Sequence, residues 1–218
     1  MCGIYGSITP SEFYNLHEAN KVRGTSGYGC LHIGVNSFNI QKFRTVTSPI
    51  DCPVSSIYNL GHNRAPTTNE SGRNFSNSHP FSYGNAIAAH NGILINTTDL
   101  KCKWKTEFPV DSQWIPFLYN NYYKEINDPL KTFTKTLENI SGTYGIWLYD
   151  IDNHTIFVAR GDNTIFWDKQ YSSFSSIKTE LCDRLMPEGA IYQSTNMLTF
   201  KDKNENNRLK RQKKYFIL

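Results

Sequence analysis

The sequence predicts an α+β fold built on mainly antiparallel sheets, and three observations point there. Strand-like runs come in adjacent pairs separated by short turn signals, as at Asn36-Ser37 and Asp152-Asn153. Between the pairs lie segments with helical character, so helices are interspersed with hairpins instead of following each strand in turn. The chain has 218 residues, which makes one domain the first expectation and leaves room for a sizeable core.

Residues 2–9 (CGIYGSIT) read as a short buried strand that stops at Pro10, with Ser11 as N-cap of a helix over 12–22. Arg23 to Gly29 is a glycine-punctuated loop. Strands are expected over Cys30–Val35, Phe38–Thr45 and Tyr58–Arg64. The polar stretch from Pro66 to Gly84 is too long for an ordinary connector. Ala86–His90 follows as a small-residue strand that stops at Asn91-Gly92. Asp111 or Ser112 caps a helix through Tyr123, and Leu130–Ile140 reads as a second. Thr143–Tyr149 and Thr155–Arg160 form a hairpin, as do Ile165–Trp167 and Gln170–Ser173. A helix is expected near Ser176–Leu185, and strands at Ala190–Gln193 and Met197–Phe200 close the folded part.

The formal net charge of +4 is unevenly placed. Seven Lys/Arg and two Asp/Glu between Lys201 and Lys214 give that stretch +5, so the rest sums to −1. This divides the chain into a near-neutral domain over 1–200 and a basic tail over 201–218. No aromatic side chain is interleaved with the tail's charges before Tyr215-Phe216, which argues against a nucleic-acid partner. The five cysteines are widely spaced with no CxxC pair, and the six histidines lack ligand spacing, so neither a metal nor a cofactor is expected. No signal segment precedes Cys2 and no apolar run approaches the roughly 18 residues needed to span a membrane, so a cytoplasmic protein is expected.

Cys2 carries the clearest chemistry. An initiator methionine is usually trimmed before a small residue, which would leave Cys2 with both a thiol and a free α-amine. The amine, with a reference pKa of about 7.7–8.0, can take the thiol's proton near neutral pH. Polar, glycine-rich segments recur at predicted strand ends: Arg23-Gly24, Gly61-His62-Asn63-Arg64, Asn91-Gly92 and Asp111-Ser112. Singly these read as a turn, an edge strand, a hairpin and a helix cap.

In this order, with Cys2-Gly3-Ile4-Tyr5-Gly6 in front, the set resembles the class II glutamine amidotransferases. Arg23–Gly29 is similar to the family's RG-x-D-G loop, and Gly61–Thr67 to its GH-x-R motif. His79-Pro80-Phe81 with Ala89–Asn96 resembles its HPF…HNG-x-x-x-N signature, and Asp111-Ser112 its DS/DT element. The resemblance covers roughly residues 2–195. It implies a four-layer αββα sandwich of the N-terminal-nucleophile hydrolase type and hydrolysis of the glutamine side-chain amide through a Cys2 thioester. It also implies an oxyanion site at Asn91 and the Gly92 N–H, Arg64 on the substrate α-carboxylate, Asp111 on its α-ammonium and a supplementary hydroxyl from Thr67. Arg23 is expected to buttress the nucleophile's strand, and His90 to pack beside the site.

Three features depart from the pattern. Ser26 stands where the loop Asp is usual, Ala65-Pro66 stands where relatives carry a bulky aromatic, and a stand-alone form without a following synthase domain is expected. The expectation is a lid built from Asn69–Tyr83 and ammonia passed to a separate acceptor enzyme. The alternatives are a hydrolase of another γ-glutamyl amide and a catalytically retired binding module.

Overall fold

The computed structural model describes residues 2–43, 52–53, 55–65, 77–195 and 199–203. Along the chain come β1 (Gly3–Ser7), α1 (Pro10–Asn20), β2 (Tyr28–Ile33), β3 (Phe38–Phe43), β4 (Tyr58–Asn63), β5 (Phe81–Tyr83) and β6 (Ala86–Leu94). Next are α2 (Thr97–Trp104), a 3-10 turn at Asp111–Gln113, α3 (Trp114–Ile126) and α4 (Pro129–Glu138). β7 (Gly142–Asp150), β8 (Thr155–Gly161), β9 (Phe166–Trp167), β10 (Phe174–Ser175), β11 (Arg184–Leu185), β12 (Ile191–Thr195) and β13 (Thr199–Asp202) complete the order.

Two antiparallel sheets result. The first has the order β11-β9-β10-β1-β4-β2-β3 and the second β13-β12-β8-β7-β6-β5. Period-two alternation explains how they stack. On β1, β2 and β4, Ile4, Leu31, Ile33, Tyr58 and Leu60 face one way and meet Ile87, Ala89, Trp147, Tyr149, Ile156 and Val158 of the second sheet. The alternate residues Tyr5, Tyr28 and Cys30 pack under α1 with Phe13 and Leu16. Ala86, Ala88, Ile146, Leu148, Phe157 and Ala159 face outward against α2, α3 and α4. The layers are therefore helix, sheet, sheet, helices, the αββα sandwich. Among the described residues no helix is long and apolar enough to cross a membrane.

Several elements differ from expectation, each for a local reason. Pro10 begins α1 instead of ending a strand. It occupies the first turn, where its missing N–H costs nothing, and Thr9 is the cap, its hydroxyl accepting the Glu12 N–H at 3.3 Å. β6 runs through Asn91-Gly92 to Leu94, with Asn91 opposite Gly145 and Gly92 opposite Tyr144. No helix forms over Ser176–Leu185. Ser176 is tied by its backbone and hydroxyl to β1, and Thr179 closes a turn on Cys182. The strand β13 extends through Asp202, so Lys201 lies in a strand, not at the start of a tail. Most of the tail, and residues 66–76 of the expected lid, fall outside the described residues.

Candidate active site

The strand pattern brings Cys2, Arg64 and Asn91 to one face. Cys2, Arg64 and Asn91 share the alternation of Ile4, Leu60 and Ala89, so all three lie on the inter-sheet face at strand ends. Cys2 is half-buried, and its Sγ accepts the Ala65 N–H at 3.4 Å. Burial pushes the Cys2 thiol up; the Ala65 N–H and the Arg64 charge pull it down, and the Asp111 carboxylate adds to the rise. Arg64 and Asp111, 47 positions apart in sequence, thus both act on the same sulfur.

Arg64 is 8% exposed and is fixed through its backbone. Its N–H donates to Gly27 O at 2.8 Å, and its carbonyl accepts the Ser26 N–H at 3.0 Å. Gly24 is the residue that lets this loop close. A Cβ there would sit 2.2 Å from the Arg64 carbonyl carbon, closer than any side chain tolerates. The departure at Ser26 therefore costs little, since its backbone makes the contact. The Arg23 Nη2 donates to Thr164 Oγ1 at 2.9 Å and to Ser176 O at 3.1 Å. Ser176 in turn holds β1: its Oγ accepts the Ile4 N–H at 3.0 Å and its own N–H donates to Ile4 O at 2.8 Å.

Asn91 is almost fully buried. Its Nδ2 donates to Asn163 Oδ1 at 3.3 Å and to Ser176 Oγ at 3.4 Å, while Oδ1 has no partner. Asn163 Nδ2 donates to Asn91 O at 2.7 Å, so one side chain grips both ends of this residue. Gly92 has φ +149, and a Cβ there would lie 2.0 Å from Thr143 O. Only glycine fits. Asp111 sits at the start of the 3-10 turn; its Oδ2 accepts the Leu94 N–H at 2.8 Å and its Oδ1 lies 3.1 Å from the Ser112 hydroxyl oxygen. His90 alternates to the other face of β6, between Ser112 Oγ at 2.9 Å and Thr143 O at 3.1 Å. Thr67 lies outside the described residues.

Sequence reasoning gave no role to Asn163, Ser176 or Thr164. Asn163 follows a strand and looks like a turn residue, and Ser176 was read as a helix start. Their functions depend on partners 72 and 172 positions away.

A second thiol chain resembles a nucleophile arrangement. Cys30 Sγ lies 3.2 Å from His32 Nε2, and His32 Nδ1 donates to Asn59 Oδ1 at 2.6 Å. Cys30 is fully buried and burial pushes its thiol far up, so this chain is sealed in the core. Burial likewise pushes Cys182 up to about 12. Cys102 is exposed on α2. Among the described residues no cluster of His, Cys, Asp and Glu is arranged to hold a metal.

Beneath Arg64 the rings of His62 and His79 lie 3.9 Å apart, both buried, with no hydrogen-bond partner on any ring nitrogen. Burial, then the neighbouring His90, push His62 down to about 3; burial and His62 hold His79 well below the usual imidazole range. Both rings stay neutral in the fold, whereas in the unfolded chain they protonate below about pH 6.5. The unfolded state then binds more protons, so the stability these rings contribute is present above pH 6.5 and is lost as pH falls toward their folded values. Between pH 7 and 5 His62 alone should cost about 2 kcal/mol. Urea midpoints should fall steeply over that range, and an unchanged midpoint would contradict the neutral buried pair.

No family model matches the chain. It is 25% identical over 185 residues to a glutamine–fructose-6-phosphate aminotransferase (isomerizing) of Sulfurisphaera tokodaii, covering 76% of this chain and 31% of that protein. The Bacillus subtilis enzyme of the same name is 28% identical over 183 residues, covering 76% and 30%. The chain therefore spans about a third of the length of the curated relatives it matches. A solved B. subtilis glutamine phosphoribosylpyrophosphate amidotransferase superposes with a TM-score of 0.73 at 18% identity, covering 93% of this chain and 49% of that one. In sequence the chain is similar to part of these glutamine-using aminotransferases, and its αββα sandwich is the fold of the solved amidotransferase on which it superposes.

Proposed function

We propose that this domain hydrolyses the side-chain amide of L-glutamine to glutamate and ammonia, with Cys2 as nucleophile. The observation that carries the reading is the convergence of Cys2, Arg64 and Asp111, a thiol flanked by one cation and one anion. That is the charge pattern a free α-amino acid requires.

In this reading Met1 is removed and the Cys2 α-amine takes the thiol proton as Sγ attacks the amide carbon. Burial keeps the thiol protonated at neutral pH, so the amine's help is needed, and the Ala65 N–H is placed to hold the thiolate as it forms. The tetrahedral oxyanion is taken by the Gly92 N–H and the Asn91 amide. For the latter, the Asn91 Nδ2 hydrogens are the available donors, held only at 3.3 and 3.4 Å by Asn163 Oδ1 and Ser176 Oγ. The amine returns its proton to the leaving ammonia, and water cleaves the thioester. Arg64 meets the α-carboxylate with its planar fork, Asp111 meets the α-ammonium, and Thr67 adds a hydroxyl to the carboxylate.

Ammonia is largely protonated at neutral pH and is then a poor nucleophile. We infer that it passes to an acceptor site on a separate enzyme. The relatives' names, which pair glutamine with a sugar phosphate, support transfer of this kind. Purified protein should release glutamate and ammonia from L-glutamine faster than from γ-glutamyl conjugates, and faster still with its acceptor enzyme present. Preferential cleavage of a conjugate would replace glutamine as substrate while keeping the site.

A further inference from the structure

Asp111, Ser112 and His90 form a chain with fewer protons than acceptors. The Thr143 carbonyl can only accept, so the His90 Nε2 facing it at 3.1 Å carries a hydrogen. In the neutral ring Nδ1 is then an acceptor, and Ser112 Oγ at 2.9 Å must donate to it. The same hydroxyl lies 3.1 Å from Asp111 Oδ1, which also accepts, and a serine has one proton to give. Asp111 Oδ2 is already engaged by the Leu94 N–H at 2.8 Å. While His90 is neutral, Oδ1 is therefore the carboxylate oxygen left open to a ligand. If His90 takes a second proton, Nδ1–H donates to Ser112 Oγ and the hydroxyl turns to Oδ1.

We propose that Ser112 and His90 are positioning residues that set how well Asp111 accepts the substrate's α-ammonium group. Neutral His90 holds the Ser112 proton away from Asp111; protonated His90 sends it there, where it competes with the ammonium. This rests on Asp111 being the ammonium acceptor. The groups facing His90 fix the direction of the effect. Burial opposes its protonation, Asp111 and the Thr143 carbonyl favour it, and the His62–His79 pair beneath Arg64 stays neutral and adds no charge. Burial holds His90 below the usual imidazole range, so it is neutral at pH 8 and gains its proton only on acidification. His90 and Ser112 are 2% and 4% exposed, too enclosed to touch substrate themselves.

The test compares L-glutamate with glutarate, which lacks only the α-amine, as protectants of Cys2 against iodoacetamide. The glutamate amine is charged from pH 5 to 8, so the ratio of the two dissociation constants, each referred to the fully ionised dicarboxylate, isolates the ammonium contact. In the wild-type protein the preference for glutamate should shrink at least threefold between pH 8 and 5. Ser112→Ala should make it independent of pH, and Ser112→Thr should restore the dependence. A preference that is flat in the wild-type protein, or that keeps its dependence in Ser112→Ala, overturns the proposal. If Asp111→Asn left the preference at pH 8 unchanged, the assignment of Asp111 itself would fall, and that failure is distinct. The wild-type titration needs no variant to fold.

Discussion

Cys2→Ala is expected to abolish glutamine hydrolysis, with a loss at least on the order of a thousandfold, because no other group can form the thioester. The fold should survive. Cys2 precedes β1, and losing one half-buried sulfur removes little packing. A glutamine-like electrophile should label Cys2 alone. Cys30 and Cys182 are buried with thiols pushed up, and Cys102 is exposed on α2, whereas Cys2 lies beside Arg64 and Asp111. Peptide mapping that placed the label on Cys30, Cys52, Cys102 or Cys182 would refute the assignment of the nucleophile.

Arg64→Ala should lower kcat/KM for glutamine by about 2–5 kcal/mol, roughly thirtyfold to several thousandfold, because it leaves the substrate carboxylate unpaired in a partly desolvated site. Arg64→Lys should also be harmful, since an ammonium cannot reproduce the bidentate fork. The backbone should hold in both variants: Gly27 O and Ser26 N bond to main-chain atoms of residue 64, and Gly24 packs on its carbonyl. Unchanged kcat/KM in Arg64→Ala would remove this residue from substrate binding.

The site was legible in the sequence to the extent that its residues are local. Arg64 and Asn91-Gly92 sit in short polar, glycine-marked segments at strand ends, where a strand's alternation makes facing predictable, and Asp111 begins the 3-10 turn ahead of α3. What escaped depends on distant contacts. The Asn91-Gly92 pair looks like a hairpin turn, yet its φ is absorbed within β6 because Thr143 to Gly145 pair alongside. Ser176 begins an apparently helical stretch, yet its hydrogen-bonding groups are taken by Ile4 and Asn91. The helix α2 went unseen because its only buried residue is Leu100, too little for an apolar stripe. β9, β10 and β11 are two residues each, shorter than any periodicity can register.

The central claim is that a Cys2 carrying a free α-amine forms a covalent intermediate with glutamine. The most direct measurement is intact mass and peptide mapping after acid quenching of the protein during turnover of L-glutamine. The account predicts active chains that lack Met1 and carry a glutamyl thioester on Cys2. Full glutaminase turnover by chains that retain Met1, or undiminished turnover in Cys2→Ala, would contradict it.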